Sequence, residues 1–279
     1  MPLSIASLNS GSNGNCYYVG NQYEAVLIDA GISSRETDRR MKRLELNPRK
    51  LKAVFITHEH SDHIKGLRSI IKKFKLPVYI TSKTLEYGRL KIKDPFLRYF
   101  NPFVPVTVGR LSVTAFPKSH DACDPHSFIV SCDRVNVGIF TDIGSACKNV
   151  IHHFKQCHAA FLESNYDEEM LDKGTYPFAL KNRIRGGRGH LSNMQALQLF
   201  LEHRPPFMSH LFLSHLSENN NRPEIVQNLF NSCAGKTQIV IASRYEETPV
   251  FDIDSTARYH FRPFRQKVTK HQFQLSLFH

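Results

Sequence analysis

The sequence predicts an α/β fold, a four-layer αββα sandwich in which two sheets pack together and helices cover them outside. Three observations predict it. Short apolar runs of strand length arrive in β-rich blocks, helix-forming stretches with start signals fall between them, and no apolar stretch approaches a transmembrane helix in length. Residues 4–8 alternate as a strand, and the Gly/Asn/Ser cluster over 9–15 is turn chemistry. Residues 17–19 and 25–28 form a hairpin ending at Asp29-Ala30-Gly31. Ser33 and Glu36 offer a capping box for a helix running to about residue 46. The apolar run 53–56 suits a buried strand, followed directly by a histidine cluster that enters the next helix. A strand at 78–80, a helix over 82–93, and strands at 104–108, 111–116, 128–132 and 135–141 come next. Helices over 145–156, 177–184, 192–203 and 223–233 then alternate with strands at 159–163, 211–214 and 238–242. No internal repeat of fixed length is visible. The periodicity divides the chain into a folded domain over 1–255 and a basic, aromatic tail over 256–279.

The 279 residues suffice for a sizeable core, and 41% hydrophobic with 22% charged residues is ordinary for a globular protein. The first residues lack the pattern of a signal peptide, and the six cysteines are scattered without a CxxC pair. Reduced thiols, a cytoplasmic setting and no membrane partner are the expectation. The net charge of +12 favours a polyanionic partner, which charge alone does not identify. Fifteen histidines exceed what solubility needs, so their spacing is what separates ligands from bystanders.

His58-Glu59-His60-Ser61-Asp62-His63 has that spacing. Two imidazoles two residues apart lie on one side of an extended segment, and Asp62 with His63 turns a carboxylate and a third imidazole toward a neighbouring point. Such a donor set suits Zn²⁺, Mn²⁺ or Fe²⁺. A histidine-rich surface loop would not need an apolar strand before it and Gly66 after it.

The hexapeptide resembles the signature of metallo-β-lactamase-fold hydrolases, and the resemblance extends over roughly residues 3–255. It implies that His58, His60 and His120 hold one divalent metal, that Asp62, His63 and His215 hold a second, and that Asp142 bridges them. Asp29 would buttress the metal loop. Taken singly, Asp142 could be a helix cap and His215 an ordinary strand-end histidine; the complete set in order favours ligation. Two cations about 3.5–4 Å apart acidify a shared water to a pKa of about 7, so the implied chemistry is hydrolysis, with Asp62 part of its machinery and no cofactor other than metal. It leaves the substrate open.

Two segments narrow it. Glu163 ends a strand, and Arg183, Arg185 and Arg188 precede His190, Ser192 and Asn193 at a capped helix start. Arginines beside a helix N-terminus make a plausible anion site, although a solvated basic loop has the same composition. The Glu and Gly-His-Leu-Ser steps resemble metallo-β-lactamase-fold phosphodiesterases, in which the residue at His190 protonates the leaving oxygen. The chain is closer still to the WalJ/YycJ group. The matching stretches begin at Ser7, Ser119, Glu163, Gly189 and His215, and that group is associated with 5′-to-3′ exonuclease activity on DNA. Tyr166 departs from the group, which favours His there. The implied partner is therefore DNA, and +12 suits it. The competing readings are a small-molecule ester, thioester, lactone or cyclic-nucleotide hydrolase, and an inactive DNA- or clamp-binding adaptor.

In the tail, Gln274-Leu275-Ser276-Leu277-Phe278 is similar to the motif by which bacterial replication and repair proteins dock on the DNA polymerase sliding clamp. Leu275 and Leu277 with Phe278 would fill a hydrophobic groove while Gln274 bonds at its edge. A terminal strand covering the domain's own core is the plainer alternative.

Overall fold

Strands with apolar residues on both faces need a covering layer on each side, and that requirement sets the architecture. A computed structural model describes residues 1–255 and the backbone of 260–261. The first half contains β1 (Leu3–Asn9), β2 (Cys16–Gly20), β3 (Ala25–Ile28), α1 (Ser34–Arg43), β4 (Leu51–Phe55), α2 (Ser61–Ile64), α3 (Leu67–Phe74), β5 (Val78–Ile80), α4 (Ser82–Tyr87) and β6 (Leu97–Tyr99). The second contains β7 (Val106–Val108), β8 (Leu111–Pro117), β9 (His126–Cys132), β10 (Val135–Phe140), α5 (Lys148–Phe154), β11 (Ala159–Glu163), α6 (Glu168–Lys173), α7 (Phe178–Arg185), α8 (Asn193–His203), β12 (His210–Ser214), α9 (Pro223–Asn231) and β13 (Gln238–Ile241). Then β14 (Phe251–Ile253) and β15 (His260–Phe261) return to the first sheet, whose order is β15-β14-β1-β2-β3-β4-β5-β6. The second sheet runs β13-β12-β11-β10-β9-β8-β7. Both sheets are mixed: β1 to β3 and β7 to β10 are antiparallel, and β3 to β6 and β10 to β13 are parallel.

Period-2 alternation sorts the apolar side chains into three clusters. Ile28, Phe55, Phe128 and Phe161 meet between the sheets. Leu27, Val54 and Ile56 point the other way, toward Met41 of α1 and Ile70 of α3. On the far side of the second sheet, Phe140 and Leu162 meet Phe154, Phe200 and Phe230 of α5, α8 and α9. Three cores between four layers realise the predicted sandwich. The six cysteines are all free, and among the described residues no helix is long and apolar enough to cross a membrane.

The structure corrects several elements. The helix expected over 82–93 stops at Tyr87 because Gly88 ends it, and the chain then forms the short edge strand β6. The strand β14, which lies between β1 and β15, and the helix α6 were not foreseen. Ser33 caps α1 by accepting from the Glu36 amide, but Glu36 turns its carboxylate to Arg39 and Arg40, so that box closes on one side only. The reciprocal box is at Ser192 and Gln195, starting α8. The segment carrying Gln274, Leu275, Leu277 and Phe278 lies outside the described residues.

Backbone contacts between the turn after β3 and the start of α2 decide where the metal loop sits. Ala30 donates to His63 O at 2.8 Å, Asn15 to Asp62 O at 2.7 Å, and Gly31 to Asn15 O at 2.8 Å. A Cβ on Gly31 would stand 1.7 Å from Asp62 O and 2.3 Å from the Asn15 amide. Gly31→Ala is therefore expected to displace the Asp62–His63 turn, lowering stability in urea unfolding by roughly 1–3 kcal/mol and reducing bound metal measured by elemental analysis.

Candidate metal centre

The histidines and acids gather where the parallel strands of both sheets end. Asp29 follows β3, His58 follows β4, Asp142 follows β10, Glu163 closes β11 and His215 follows β12. Asp29, Asp142 and His215 all have positive φ (63°, 53° and 56°), a conformation that non-glycine residues seldom adopt without surrounding structure to hold it. Each of these residues turns the chain sharply at a strand end.

Nε2 of His58, Nδ1 of His60 and Nε2 of His120 converge, with His60 Nδ1 3.1 Å from the first and 3.4 Å from the last. Beside them, His63 Nε2 lies 3.3 Å from Asp62 Oδ2 and 3.0 Å from Asp142 Oδ2, and His215 Nε2 lies 3.5 Å from Asp62 Oδ2. His58, His60 and His120 thus form one set able to hold an ion, and Asp62, His63 and His215 a second. Asp142 groups with His58 and His63 on one side and with Glu163, His190 and His215 on the other. Two buried atoms, Asp142 Oδ2 and His215 Nε2, make no hydrogen bond. Orphaned donors and acceptors of this kind are costly in a closed interior, and cation ligation satisfies them. The residues present therefore fit a pair of divalent ions.

In His58, His63, His120, His190 and His215 the second nitrogen is tied down. His58 Nδ1 meets Thr57 Oγ1 at 2.9 Å, His63 Nδ1 meets Asp29 Oδ2 at 2.7 Å, and His120 Nδ1 meets Gly189 O at 3.0 Å. Glu163 serves two rings with one oxygen, His190 Nδ1 at 2.7 Å and His215 Nδ1 at 2.9 Å, while its other oxygen accepts from the Ile143 and Leu191 amides. Partners on the far nitrogen fix the tautomer and aim the near one.

The structure revises the predicted substrate contacts. Glu163 is fully buried and positions His190 and His215. Ser192 is buried, accepting from the Gln195 amide and donating to Glu168, whose carboxylate already occupies the start of α8. Asn193 is buried among Ser164 and Asn221. Arg183 and Arg185 lie in the last turn of α7 and are paired with Asp121 and Asp172. Arg188 is exposed and donates to His120 O. His190 is brought to the centre, its side chain 22% exposed and its ring 5.2 Å from that of His120. Tyr166 is buried, and its carbonyl accepts from the Asn193 amide.

Sequence reasoning missed a ring of asparagines. Asn15 approaches Asp62 Oδ2 at 3.0 Å and His63 Nε2 at 3.1 Å, and Asn165 donates to His215 O at 2.8 Å. Asn221 bonds the Ser164 and Asn165 carbonyls. Asn15 and Asn165 stand within the matched stretches that begin at Ser7 and Glu163, which was the available signal, and Asn221 directly follows the stretch that begins at His215.

The chain belongs to the metallo-beta-lactamase superfamily, whose family pattern matches residues 10–154, just over half of its length. Exodeoxyribonuclease YycJ of Bacillus anthracis is 35% identical over 232 residues, covering 81% of this chain and 87% of that protein. Exodeoxyribonuclease WalJ of Streptococcus pneumoniae is 30% identical over 223 residues, covering 78% and 83%. The crystal structure of the metallo-beta-lactamase fold protein YhfI from Bacillus subtilis superposes with a TM-score of 0.68 at 16% identity, covering 90% of this chain and all of that one, a likeness of fold.

Charge in the metal-free centre follows from this packing. Burial opposes a charge on His215, but Asp142 and Asp62 outweigh it and lift its pKa to about 10. Burial likewise opposes charge on His63, and Asp142, Asp29 and Asp62 raise it well above the ordinary histidine range. Imidazolium at these positions stabilises the metal-free fold below the unfolded pKa of about 6.5, and that contribution fades as pH rises toward 10. Metal binding has the opposite slope, because ligand imidazoles must be neutral. Chelator-treated protein is therefore expected to melt at progressively lower temperature from pH 7 to 10, while the stabilisation added by Zn²⁺ grows over the same interval.

Proposed function

We propose that the chain is a metal-dependent phosphodiesterase acting on DNA, a 5′-to-3′ exonuclease that uses two divalent ions, Zn²⁺ or Mn²⁺. The observation that carries this reading is His190, the imidazole of the cluster whose Nδ1 is committed to buried Glu163 while its side chain remains open to solvent. When bound, the metals would acidify a water to supply a hydroxide nucleophile and would neutralise charge developing on the attacked phosphate.

The chain's own residues do the rest. His58, His60 and His120 would hold one ion and Asp62, His63 and His215 the other, with Asp142 between them and Asp29 supporting from behind. Burial opposes a charge on His190, but Glu163 and Asp142 raise its pKa, so the imidazolium persists toward neutral pH. With Nδ1 donated to Glu163, Nε2 is the nitrogen left to protonate the departing oxygen. The names of the relatives YycJ and WalJ support DNA as substrate, and the positive charge supports a phosphate-rich one. A lactone or thioester hydrolase would have no need of this general acid and this charge together.

The assay uses 5′-labelled duplex DNA, single-stranded DNA and RNA with Mn²⁺ or Zn²⁺. Wild type is expected to shorten DNA from its 5′ ends, and His60→Ala to lose at least about a hundredfold in rate. His190→Ala should lose roughly 10²–10⁴-fold on DNA with metal content intact, yet little on bis(p-nitrophenyl) phosphate, whose leaving group needs no proton. Absence of metal-dependent cleavage of any polynucleotide would defeat the reading.

We further propose that residues 256–279 act as a tail in which Gln274, Leu275, Leu277 and Phe278 dock on the bacterial sliding clamp, in a cytoplasmic setting. Deleting 274–278 is expected to abolish clamp binding in surface plasmon resonance while metal content and nuclease rate stay unchanged.

A further inference from the structure

Five cations line one groove on the helical side of the first sheet, and none is engaged by another described residue. Arg68, Lys72 and Lys75 come from α3 and its cap, and Lys91 and Lys93 from the segment after α4. The groove has a volume of about 360 Å³, all five are exposed, and no carboxylate lines it. Among the described residues their side chains make no ion pair and no hydrogen bond, whereas Lys73, on the same helix, is paired with Asp38. The floor is apolar and includes the half-buried ring of Phe96 with Ile71.

Both walls begin near the metal loop and run from it toward the sheet edge where β5 and β6 begin. Arg68 is five residues after His63, and the eight residues of α3 carry the wall about 12 Å further. On the other wall, Gly88 at the end of α4 sits so close to Glu59 that a Cβ there would be 3.3 Å from the Glu59 Cβ. Cations held apart from any acid repel one another, and a solvated face gains nothing from collecting five of them over apolar ground. A phosphate backbone supplies the missing charge, and exposed bases, hidden in a duplex but open in a single strand, suit the apolar floor.

We propose that this groove is a binding track for single-stranded nucleic acid, holding the strand beside the metal centre. The proposal rests on the nucleic-acid reading above and adds to it where the strand runs. Neither Arg68 nor any of the four lysines belongs to the metal-binding set.

The test compares wild type, a groove variant (Arg68→Ala, Lys72→Ala, Lys93→Ala), its glutamine counterpart at the same positions, and a control with equal charge loss elsewhere (Arg134→Ala, Lys148→Ala, Lys155→Ala). Binding of a fluorescent 30-nucleotide single strand is followed by anisotropy across a salt series, and hydrolysis of bis(p-nitrophenyl) phosphate reports the metal centre. Each phosphate contact on a single strand contributes roughly −0.7 to the slope of log affinity against log salt, so the groove variants should lose about two units of slope. They should also bind about tenfold or more weakly at low salt, with phosphodiester hydrolysis unchanged and the control near wild type. Equal losses in groove and control variants would overturn the proposal in favour of a diffuse field. Unchanged binding in groove variants of an enzyme that cleaves DNA would overturn the groove alone. A wild type that neither binds nor cleaves any polynucleotide would overturn the parent reading as well. Groove-dependent binding to phosphatidylglycerol vesicles without binding to the oligonucleotide would assign the surface to a membrane instead.

Discussion

The buried carboxylate of Asp29 is the constraint on which the rest of the centre depends. Its Oδ1 accepts from the Thr57 amide at 2.9 Å, both oxygens meet Thr57 Oγ1, and Oδ2 holds His63 Nδ1 at 2.7 Å. One group at the end of β3 therefore fixes the exit of β4 and the first helical turn of α2 together. Thr57 in turn reaches His58 Nδ1, so the orientation of a ring in each metal set traces back to one carboxylate. A charge buried this deeply is tolerated only when its acceptor sites are filled, and here they are. Neutralising Asp29 would leave the donors of Thr57 and His63 competing for a weaker partner at the point where both rings are aimed.

The second sheet uses the same device with different letters. Asp29-Ala30-Gly31 follows β3 and Asp142-Ile143-Gly144 follows β10, and in each sheet that strand is where antiparallel pairing gives way to parallel. Both aspartates are left-handed, and a Cβ on either glycine would collide with backbone, Asp62 O in one case and the Arg188 Cα in the other. The roles have diverged: Asp29 is turned away to brace a ring, whereas Asp142 faces the two histidine sets. The bracing duty on that side has passed to Glu163, one strand further along. This likeness between halves escapes a search for fixed-length repeats because the connections differ in length, the second half inserting α6 and α7 between β11 and α8.

How far the sequence was legible follows from the range of the interactions involved. The sandwich was readable because strand alternation is local, and β11 was placed residue for residue at 159–163. The short strands β6 and β14 were not, since three residues carry little periodicity and β14 pairs with β1 from the other end of the domain. The metal-facing residues were readable because their type and order survive any loop length, and the structure draws His58, His60, Asp62, His63, His120, Asp142 and His215 together. The anion site at Arg183, Arg185, Ser192 and Asn193 misled for the opposite reason. Whether an arginine is free depends on a carboxylate elsewhere, and Asp121 is 62 residues from Arg183. Nor does sequence show that Glu168 already fills the start of α8, or that Glu163 is sealed beneath two imidazoles.

On the proposed nuclease reading, those ion pairs bear on where phosphate recognition would reside. With Arg183 held by Asp121 and Arg185 by Asp172, the loop before His190 is closer to neutral than its composition suggests, leaving Arg188 as its exposed cation without a carboxylate. A substrate phosphate at the centre would meet the metal-binding residues and His190, while the flanking backbone has to find charge elsewhere. A net charge of +12 spread evenly would attract polyanions from a distance and fix no direction for them. Direction requires cations that lack internal partners and adjoin the reactive site. By that criterion the wall formed by α3 qualifies without prior rearrangement, whereas Arg183 and Arg185 must first leave exposed ion pairs, which costs only about 0–1 kcal/mol each.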